Sequence, residues 1–561
     1  MGDIGRVLYT AQQAILSNLS AINVTGANIS NVNTEGYTRL RPIFEAVGSS
    51  NATSSQEQIG VRIADIERVY DRFLDAQIVS QNSSVSSATA RKDLLTQIEG
   101  ILNESTGNGV NDALSAFWSS WDNLSANPSG QAERDAVVSA GQNLTYIFNQ
   151  RADELLTIQN NADQTIADDV DKLNGYLNDM SSLNAQIATA ESAGGTASAL
   201  RDNRTALLGK ISSLIDINYV EQSDGSLYIY LPESGKALVQ GTNDWQLKVQ
   251  RNSSNLNDIV FANDPSTSLN AEITGGELGG LLNVRDFTLP SYINDLNQTA
   301  SSIINKVNAQ HMAGYDEEGN IGLAFFTPTT QAKDMAVNTA IVTNTIKIAA
   351  SATVNADGDN ATAMTALKDD QMYASLGQIN KPSGTSVTGL INNVGQAYKD
   401  TTLAGIKLTR GANSSDWTVT DNGGYSLMPI GSAVLSANAN SITLDLNGDK
   451  TADITLNLSG TWAQNDTISF SLAKQGSTTT IGGYYNAFIA KVGQDASSSS
   501  TDLDREKAIA TQNNTQREQL SGVSLDEEML NLIKYQMAYN AASRMTKTIS
   551  DMMDILINLG Q

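Results

Sequence analysis

The stretch Tyr535-Gln-Met-Ala-Tyr-Asn-Ala-Ala-Ser-Arg-Met545 and its continuation to Leu559 decide the fold, because their apolar side chains recur every three or four positions. This spacing places them along one side of an α-helix and is typical of a helix that pairs with another helix. We predict a C-terminal helix with an assembly seam formed by Tyr535, Ala538, Ala542, Met545, Ile549, Met552, Leu556 and Leu559.

The N-terminal region carries a matching stripe, with Asn18 at an intervening heptad position. The predicted N-terminal seam comprises Ile4, Leu8, Ala11, Ile15 and Ile22. Burying a seam side chain stabilises a helix by roughly 1.5 to 3 kcal/mol, but such residues occur only every ~3.5 positions. Ordering each backbone unit costs roughly 1 to 2 kcal/mol. We therefore expect both terminal helices to be disordered in the free monomer and to become ordered on assembly.

The start of the last helix is predicted at Ser524-Leu-Asp-Glu527, which has the pattern of a capping box. The Ser524 hydroxyl can accept a hydrogen bond from the amide three residues later, while Glu527 reaches back to the cap. Asp526, Glu527 and Glu528 could form a metal cluster or supply a general base. Acids in a first helical turn more often complement the helix dipole, and we favour that interpretation.

Composition excludes several function classes. The 561 residues include no cysteine and one histidine, His311, so disulfides, zinc–cysteine sites and two-histidine metal motifs are excluded. The formal net charge of −25 argues against nucleic-acid and anionic-membrane partners. The sequence has no P-loop, G-x-S-x-G motif, basic cleavable leader or run of eighteen apolar residues. We predict a protein that is not an enzyme, has no metal or cofactor, and uses His311 to cap a helix C-terminus.

The length suggests three or four folding units in a multidomain α+β protein. We predict terminal helices that pair as a coiled coil in an elongated helical stalk, with inserted antiparallel β-rich domains. Alternation around Leu227-Tyr-Ile-Tyr-Leu231 and around Asn447-Gly448 indicates hairpins. The predicted division has terminal core helices at 1–34 and 524–561, a helical rod domain at 35–215, 281–315 and 481–523, a β-rich middle domain at 216–280 and 316–377, and an inserted outer β domain at 378–480.

Two loops could be given chemical roles. The acidic stretch Asp445 to Asp453 has a spacing similar to that of a calcium loop, but Lys450 replaces the loop glycine and Leu456 replaces the bidentate glutamate. The stretch Gly275-Gly-Glu-Leu-Gly-Gly280 lacks the G-x-G-x-x-G pattern of a phosphate-binding loop. We predict a solvated turn for the first and a turn between domains for the second.

The stretch Thr25-Gly-Ala-Asn-Ile-Ser-Asn-Val-Asn-Thr-Glu-Gly-Tyr-Thr-Arg39 resembles the signature that follows the first helix of flagellar axial proteins, the family of rod, hook and hook-associated proteins. Ala27 replaces an asparagine and Glu35 a proline that are often found there. The stretches Ser521 to Asn540 and Gly275 to Asp286 also look like those of hook-associated members, and only 381–480 matches weakly. The signature residues in this chain are Asn28, Asn31, Asn33, Gly36 and Tyr37.

Two readings of the signature residues stay open. They can end the first helix, because asparagine forms local backbone turns and Gly36 permits a positive φ. They can also contact neighbouring subunits directly, and the two roles are compatible.

The resemblance implies a structural role and no reaction. It implies a ring of subunits at the junction between bacterial flagellar hook and filament, in contact with hook protein and with a second junction protein. It also implies secretion through the flagellar type III apparatus and an export chaperone on the helix from Leu525 to Leu559. A secreted adhesin or tail-fibre-like binding protein is the alternative, because polar β domains on helical stalks suit it as well. An extracellular hydrolase that uses His311 is a more distant one.

Overall fold

The computed structural model describes residues 2–34, 36–48, 58–104, 109–192, 196–327, 329, 331–354, 357–370, 386–391, 406–413, 416–421, 434–437, 441–444, 454–459, 462–470 and 480–559. The chain divides into two compact units. Unit 1 comprises Met1–Leu94, Asn161–Val284 and Ser498–Gln561, and unit 2 comprises Leu95–Asn160 and Arg285–Ser497.

Long helices dominate the described chain. The helices are α1 (Gly2–Ser30), α2 (Arg72–Ile101), α3 (Val110–Ala126), α4 (Gln131–Glu191), α5 (Ser198–Leu214), α6 (Gly276–Asn283), α7 (Leu289–Met312), α8 (Thr339–Thr343), α9 (Asp359–Ala366), α10 (Ile481–Ser521) and α11 (Leu525–Leu559). A π-helical turn, Val284–Thr288, joins α6 to α7. No helix among the described residues is long and apolar enough to cross a membrane.

The strands are short and pair antiparallel. They are β1 (Leu40–Gly48), β2 (Gln58–Arg68), β3 (Asn218–Glu221), β4 (Leu227–Tyr230), β5 (Ala237–Gln240), β6 (Asn243–Asp244), β7 (Leu247–Arg251), β8 (Asn257–Phe261), β9 (Asp264–Ser268), β10 (Ser386–Ile391), β11 (Ile406–Arg410), β12 (Trp417–Asp421), β13 (Val434–Ala437), β14 (Ser441–Leu444), β15 (Ile454–Ser459) and β16 (Thr467–Phe470).

In unit 1, α1 packs along α11 and against the β1–β2 hairpin, in which Leu40 pairs with Arg68. Two small sheets follow, with strand orders β3-β4-β5-β6 and β7-β8-β9. Gly225, at a φ of 81°, makes the turn between β3 and β4, as the Asp-Gly dipeptide predicts. The apolar positions of β4 alternate between buried and half-buried, which is the pattern of a sheet with one covered face.

Helix α6 packs closely against other elements of unit 1. A Cβ on Gly280 would lie 2.5 Å from the Ser87 carbonyl oxygen, and one on Gly276 would lie 2.4 Å from the Ile215 amide nitrogen. Glycine is therefore required at both positions, because any side chain would overlap with backbone. The predicted turn at Gly275 to Gly280 is thus wrong: Gly275 is the N-cap, and most of the segment is helical.

Unit 2 has an aromatic core. Phe117 of α3 lies 5.7 Å from Phe325 and 5.6 Å from Phe326, between ring centroids, and Trp121 lies 5.6 Å from Phe325. Tyrosines at the start of α10 add polar links, since the Tyr485 hydroxyl donates to Glu104 at 2.7 Å. Glu104 also accepts the first amides of α3.

The described strands of the outer region form two sheets, in the orders β10-β15-β14-β13 and β12-β11-β16. Strands β14 and β15 pair with Leu444 opposite Ile454, which confirms the predicted hairpin. The acidic turn between them, residues 445 to 453, lies outside the described residues.

The multidomain α+β class is confirmed. Two local expectations are wrong. Residues 35–71, predicted within a helical domain, contain the β1–β2 hairpin. The described part of 316–377, predicted to be β-rich, holds short helices and isolated bridges such as that of Phe326 with Val337. In the first case, the alternation of side chains over the nine residues of β1 and the eleven of β2 is the signal that indicates strands.

Candidate assembly interface

The signature segment ends α1 and turns the chain towards β1. The Asn31 amide donates to the Ala27 carbonyl at 3.1 Å, and the Asn31 side chain donates to the same oxygen at 2.9 Å. The Thr34 amide donates to the Asn31 carbonyl at 2.9 Å, and Gly36 adopts a φ of 80°. Asn33 is exposed. The geometry of Asn31 and Gly36 is that of a helix end followed by a left-handed turn.

Asn28 is buried and every polar atom of its side chain is engaged. Its Nδ2 donates to the Leu40 carbonyl at 2.9 Å and to Glu528 Oε2 at 3.1 Å. Its Oδ1 accepts from the Leu40 amide and from the Tyr37 hydroxyl, each at 2.9 Å. A buried amide with four partners fixes the positions of all the groups it contacts.

Glu528 receives the other half of this network. It is 2% exposed, and its Oε1 accepts from Arg39 Nε at 2.8 Å. Arg39 Nη1 also pairs with Glu527 Oε2 at 2.8 Å, and the Arg39 amide donates to the Ser521 carbonyl at 3.1 Å. We call Asn28, Tyr37, Arg39 and Glu528 the terminal clamp, because they join the end of α1 to the start of α11.

Burial raises the pKa of the Tyr37 phenol to about 12, and the charges of Asp202 and Glu528 add to the effect. The phenol therefore stays protonated at neutral pH and can donate to Asn28. Burial and Glu528 also raise the pKa of Tyr535, the first seam residue of α11.

The terminal clamp is tied to the remainder of unit 1 through a buried cation, Arg68. Arg68, at the end of β2, donates to Asp202 of α5 at 2.6 Å and to the Thr38 hydroxyl at 3.2 Å. Thr38 directly follows Tyr37. The Arg68 contacts therefore attach the root of the helix pair, where the end of α1 meets the start of α11, to the rest of unit 1.

The first turn of α11 differs in part from the predicted capping box. The Glu527 amide lies 3.5 Å from the Ser524 hydroxyl, at the limit of a hydrogen bond. The Glu527 side chain pairs with Arg39 instead of reaching back to the cap. The predicted role of Glu528 is dipole complementation, but its burial and its partners Asn28 and Arg39 give it a tertiary role.

The predicted seams are buried along only part of their length. Ala11, Ala542 and Ile549 are buried, whereas Met545 and Met552 are exposed. The side chains of Ile4, Leu556 and Leu559 lie outside the described residues. The seam residues Leu8, Ile15, Ile22, Tyr535 and Ala538 are half-buried.

The better covered series in α11 has a spacing of seven residues: Glu528, Ala542 and Ile549 are buried, and Tyr535 between them is half-buried. Tyr535 packs on Phe44 of β1, with ring centroids 5.8 Å apart. The second series, Ala538, Met545 and Met552, becomes more exposed along the helix. A single partner helix, α1, covers only a narrow stripe of α11. The second series lies at a flanking heptad position and is left outside that stripe.

An apolar surface remains uncovered on both terminal helices. On α1 it comprises Val7, Tyr9, Leu16 and Leu19, and on α11 it comprises Leu525, Met529, Leu530, Ile533, Met537, Met545, Met552, Met553 and Ile555. Exposed apolar residues in such numbers indicate a surface for association with other chains.

His311 does not cap its helix as predicted. Its Nδ1 lies 2.5 Å from the Leu323 carbonyl oxygen, and its Nε2 accepts from the Ala349 amide at 2.9 Å. The ring is fully buried beside Trp121 and Phe325. Burial lowers the pKa of His311 to about 4. Both ring nitrogens are thus committed to backbone groups, which leaves neither for a hydrolytic reaction.

No group of three or more metal-ligating side chains is found among the described residues. Sequence reasoning did not select Arg39, which is the last residue of the signature stretch and links it to α11. The available signal was a lone cation at the end of the signature in a strongly acidic chain.

Three family models match separate parts of the chain. Residues 8–38 match the flagella basal body rod protein model, residues 95–326 match the flagellar hook-associated protein FlgK helical domain, and residues 516–559 match the C-terminal model of the flagellar basal body rod FlgEFG proteins. The model that matches residues 8–38 contains Asn28 and Tyr37 of the terminal clamp, and the model that matches residues 516–559 contains Glu528. Arg39, the remaining clamp residue, directly follows residue 38.

Relatives match over nearly the full length. Flagellar hook-associated protein 1 of Bacillus subtilis is 27% identical, covering 98% of this chain and 97% of the relative. The Escherichia coli protein of the same name is 25% identical, with 99% of each chain covered. A solved structure, the flagellar hook junction protein FlgK of Burkholderia pseudomallei, matches with a TM-score of 0.51 at 19% identity, over 80% of this chain and all of that one.

The joined terminal helices and the matching models at both ends define a flagellar axial protein, a structural component of the bacterial flagellum. Within that class, the chain is similar over nearly its full length to flagellar hook-associated protein 1 of several bacteria.

Proposed function

We propose that this chain forms the ring of subunits that joins the bacterial flagellar hook to the filament, and that filament assembly and motility require it. The observation that carries the proposal is the terminal clamp. It fixes α1 beside α11 at the root while both helices keep an uncovered apolar surface. A subunit of this kind is suited to lateral and axial stacking, because its remaining apolar area is covered only by neighbours.

The proposed partners are other copies of the chain, hook protein on one side of the ring and a second hook-associated junction protein on the other. The signature residues Asn28, Asn31, Asn33, Gly36 and Tyr37 serve this role by setting the direction in which α1 leaves the body. The seam residues of α1 and α11 form the inner contacts.

A chaperone is the proposed partner before export. The exposed side chains of α11 include five methionines, which adapt readily to differently shaped partner surfaces. Left uncovered in the cytoplasm, they would invite premature association. We propose that the subunit is exported through the flagellar type III apparatus with the chaperone on the Leu525–Leu559 helix, and that assembly at the flagellum takes place outside the cell.

An in-frame deletion of the gene tests the function. We expect cells that keep hooks, lack filaments and release filament subunits into the medium. Expression of the intact chain from a plasmid should restore filaments and swimming. Filaments of normal length in the deletion strain would refute the proposal. Antibody labelling of intact flagella separates this protein from hook protein, since the label should appear only at the distal end of the hook.

The adhesin alternative rests on the β-rich outer region and is separated from the junction role by removing residues 381–480. A junction protein should keep most of its activity without them, because the terminal helices lie outside the deletion. An adhesin should lose binding to surfaces while leaving the filaments unaffected.

A further inference from the structure

Unit 1 contains a wide groove with a charge opposite to that of the whole chain. The groove has a volume of about 1030 Å³ and is lined by six cationic side chains but only two acidic ones, Asp75 and Glu221. The chain as a whole has 35 Lys and Arg against 60 Asp and Glu. The cations lining the groove are Arg68, Arg72, Arg201, Arg204, Lys210 and Arg517.

Half of these cations already have strong partners in the chain. Arg68 pairs with Asp202 at 2.6 Å, Arg201 pairs with Glu191 at 2.7 Å, and Arg204 is buried and donates to the Gly225 carbonyl. These three build the floor of the groove. Their charges are largely compensated, so they define its shape more than its affinity.

The other three cations lie in looser surroundings. Arg72 has a side chain that is 76% exposed, and its Nη2 is 3.9 Å from Glu221. Arg517 Nε is likewise 3.9 Å from Asp75, and Lys210 lies over the Tyr176 ring at 5.8 Å. Ion pairs at the 4 Å limit contribute little, which leaves this rim able to attract negative charge.

The same groove also contains exposed apolar side chains. Phe73, the second residue of α2, is 85% exposed, and Val220 of β3 is also exposed. A phenyl ring this open to water between cations is poorly explained by the stability of the isolated subunit, because burying it against a partner would be favourable by roughly 1.5 to 3 kcal/mol.

A complementary surface exists on the same unit. Three acids of α4, Asp168, Asp171 and Asp179, are exposed, and they share one side of the helix through spacings of three and eight. Gly175 lies between them, and a Cβ placed on it would meet nothing within 4 Å. Two lysines lie near this side: Lys172 pairs with the buried Asp169 at 2.8 Å, and Lys210 lies over the Tyr176 ring at 5.8 Å. Three exposed acids therefore make this side of α4 acidic, with open space at Gly175.

We propose that the cationic groove of one subunit receives the acidic side of α4 from a second copy of this chain, with Phe73 packed near Gly175. A ring of identical subunits with a rotational axis needs two different, complementary patches on every subunit, and the groove and the α4 side supply them. The inference rests on the proposed ring and names one lateral contact within it.

Site-specific photo-crosslinking tests the contact in assembled flagella. A photoreactive phenylalanine analogue is placed at position 73 of the full chain, in the deletion strain, and isolated flagella are irradiated. We expect an adduct of about twice the 59.6 kDa subunit mass, with the crosslinked peptide mapped to the α4 residues 164–179. An adduct with a different flagellar protein, an adduct elsewhere on this chain, or no adduct in junctions that contain the analogue would overturn the proposal.

Charge reversal supplies an independent measurement. Arg72→Glu should lower the amount of subunit incorporated into junctions by about tenfold, the factor for 1.4 kcal/mol, and Asp171→Arg in the same chain should restore much of it. Lys248→Glu, on an exposed position of β7, is the control and should leave incorporation unchanged. Equal losses for Arg72→Glu and Lys248→Glu, or no rescue by Asp171→Arg, would contradict the contact. Restoration of filaments by the unmodified chain tests the junction function separately from either result.

Discussion

Asn28 and Glu528 stand 500 positions apart in the sequence, yet the Asn28 Nδ2 donates a hydrogen bond of 3.1 Å to Glu528 Oε2 in a site closed to solvent. The contact joins the signature of flagellar axial proteins to the first turn of the last helix. Within one subunit, the signature therefore has a structural role, which is to hold the end of α1 against the start of α11. The asparagine amide is satisfied only when both ends of the chain are present and aligned.

The first prediction separates this tertiary role from dipole complementation. Glu528→Ala leaves Asn28 and Arg39 without their buried partner, and we expect a loss of about 1–3 kcal/mol in the stability of the paired helix roots. Asp526→Ala removes an exposed acid from the same turn. Its loss of stability should be only a few tenths as large as that of Glu528→Ala. Hydrogen exchange of residues 25–40 and counts of incorporated subunits report the difference. Similar effects of the two variants would mean that the helix dipole accounts for both acids.

The second prediction concerns the seam of α11. Ala542→Asp places an unpaired charge at a position that is 7% exposed, and we expect incorporation into junctions to be blocked. Ala541→Asp makes the same substitution at the neighbouring, exposed alanine. It changes the helix propensity and the charge by the same amount as Ala542→Asp. It should incorporate measurably better. Swimming in a motility complementation assay gives the readout, and normal junctions with Ala542→Asp would refute the seam.

The third prediction is a pH dependence of unit 2. Since the pKa of His311 is about 4 in the folded chain and ~6.5 when unfolded, the unfolded chain binds more protons between these values. The stabilisation is complete above pH 6.5 and is lost as the pH falls towards 4, by roughly 3 kcal/mol in total. Urea unfolding followed by the fluorescence of buried tryptophans such as Trp121 measures it.

His311→Gln is the matched variant for this measurement, because carboxylates titrate in the same range. It should be less stable at neutral pH and should lack the histidine contribution to the slope. A wild-type slope that matches that of His311→Gln would show that the ring is protonated without cost.

The fourth prediction uses two helical glycines. Gly280→Ala would force a methyl group to within 2.5 Å of the Ser87 carbonyl oxygen, and we expect a loss of about 1–3 kcal/mol in the free energy of unfolding. Gly175→Ala in α4 meets open space and should be neutral or stabilising by up to about 1 kcal/mol. Thermal unfolding of the two purified variants compares them. Equal stability of both would mean that α6 is not closely packed against α2.

The sequence predicts those parts of the molecule that depend on local periodicity. The helical runs through Leu173 and Ile303, the turn at Gly225 and the start of α11 after Ser524 follow from spacing and capping alone. The partner of Glu528 could not be predicted in this way. Three consecutive acids at a helix start satisfy the dipole rule equally well, and only tertiary contact distinguishes the buried one.

The predictions for His311 and for the α6 glycines are wrong for the same reason. The position of His311 at the tail of α7 favours capping by local rules, but the ring bonds to Leu323 and Ala349 from segments that follow α7. Glycines at 275–280 look like a turn until the backbone of α2 and α5 is seen to exclude side chains there. Contacts between residues distant in sequence decided both outcomes.

We propose that the terminal helices gain their full order only when subunits assemble. Hydrogen–deuterium exchange of the dilute monomer, compared with that of the protein in isolated flagella, measures this gain of order. We expect slow exchange in α3 and the middle of α4 in both samples and partial protection near the terminal clamp. Residues before Ala11 and after Ile549 should exchange rapidly in the monomer alone. Full protection of those tips in the dilute monomer would contradict it.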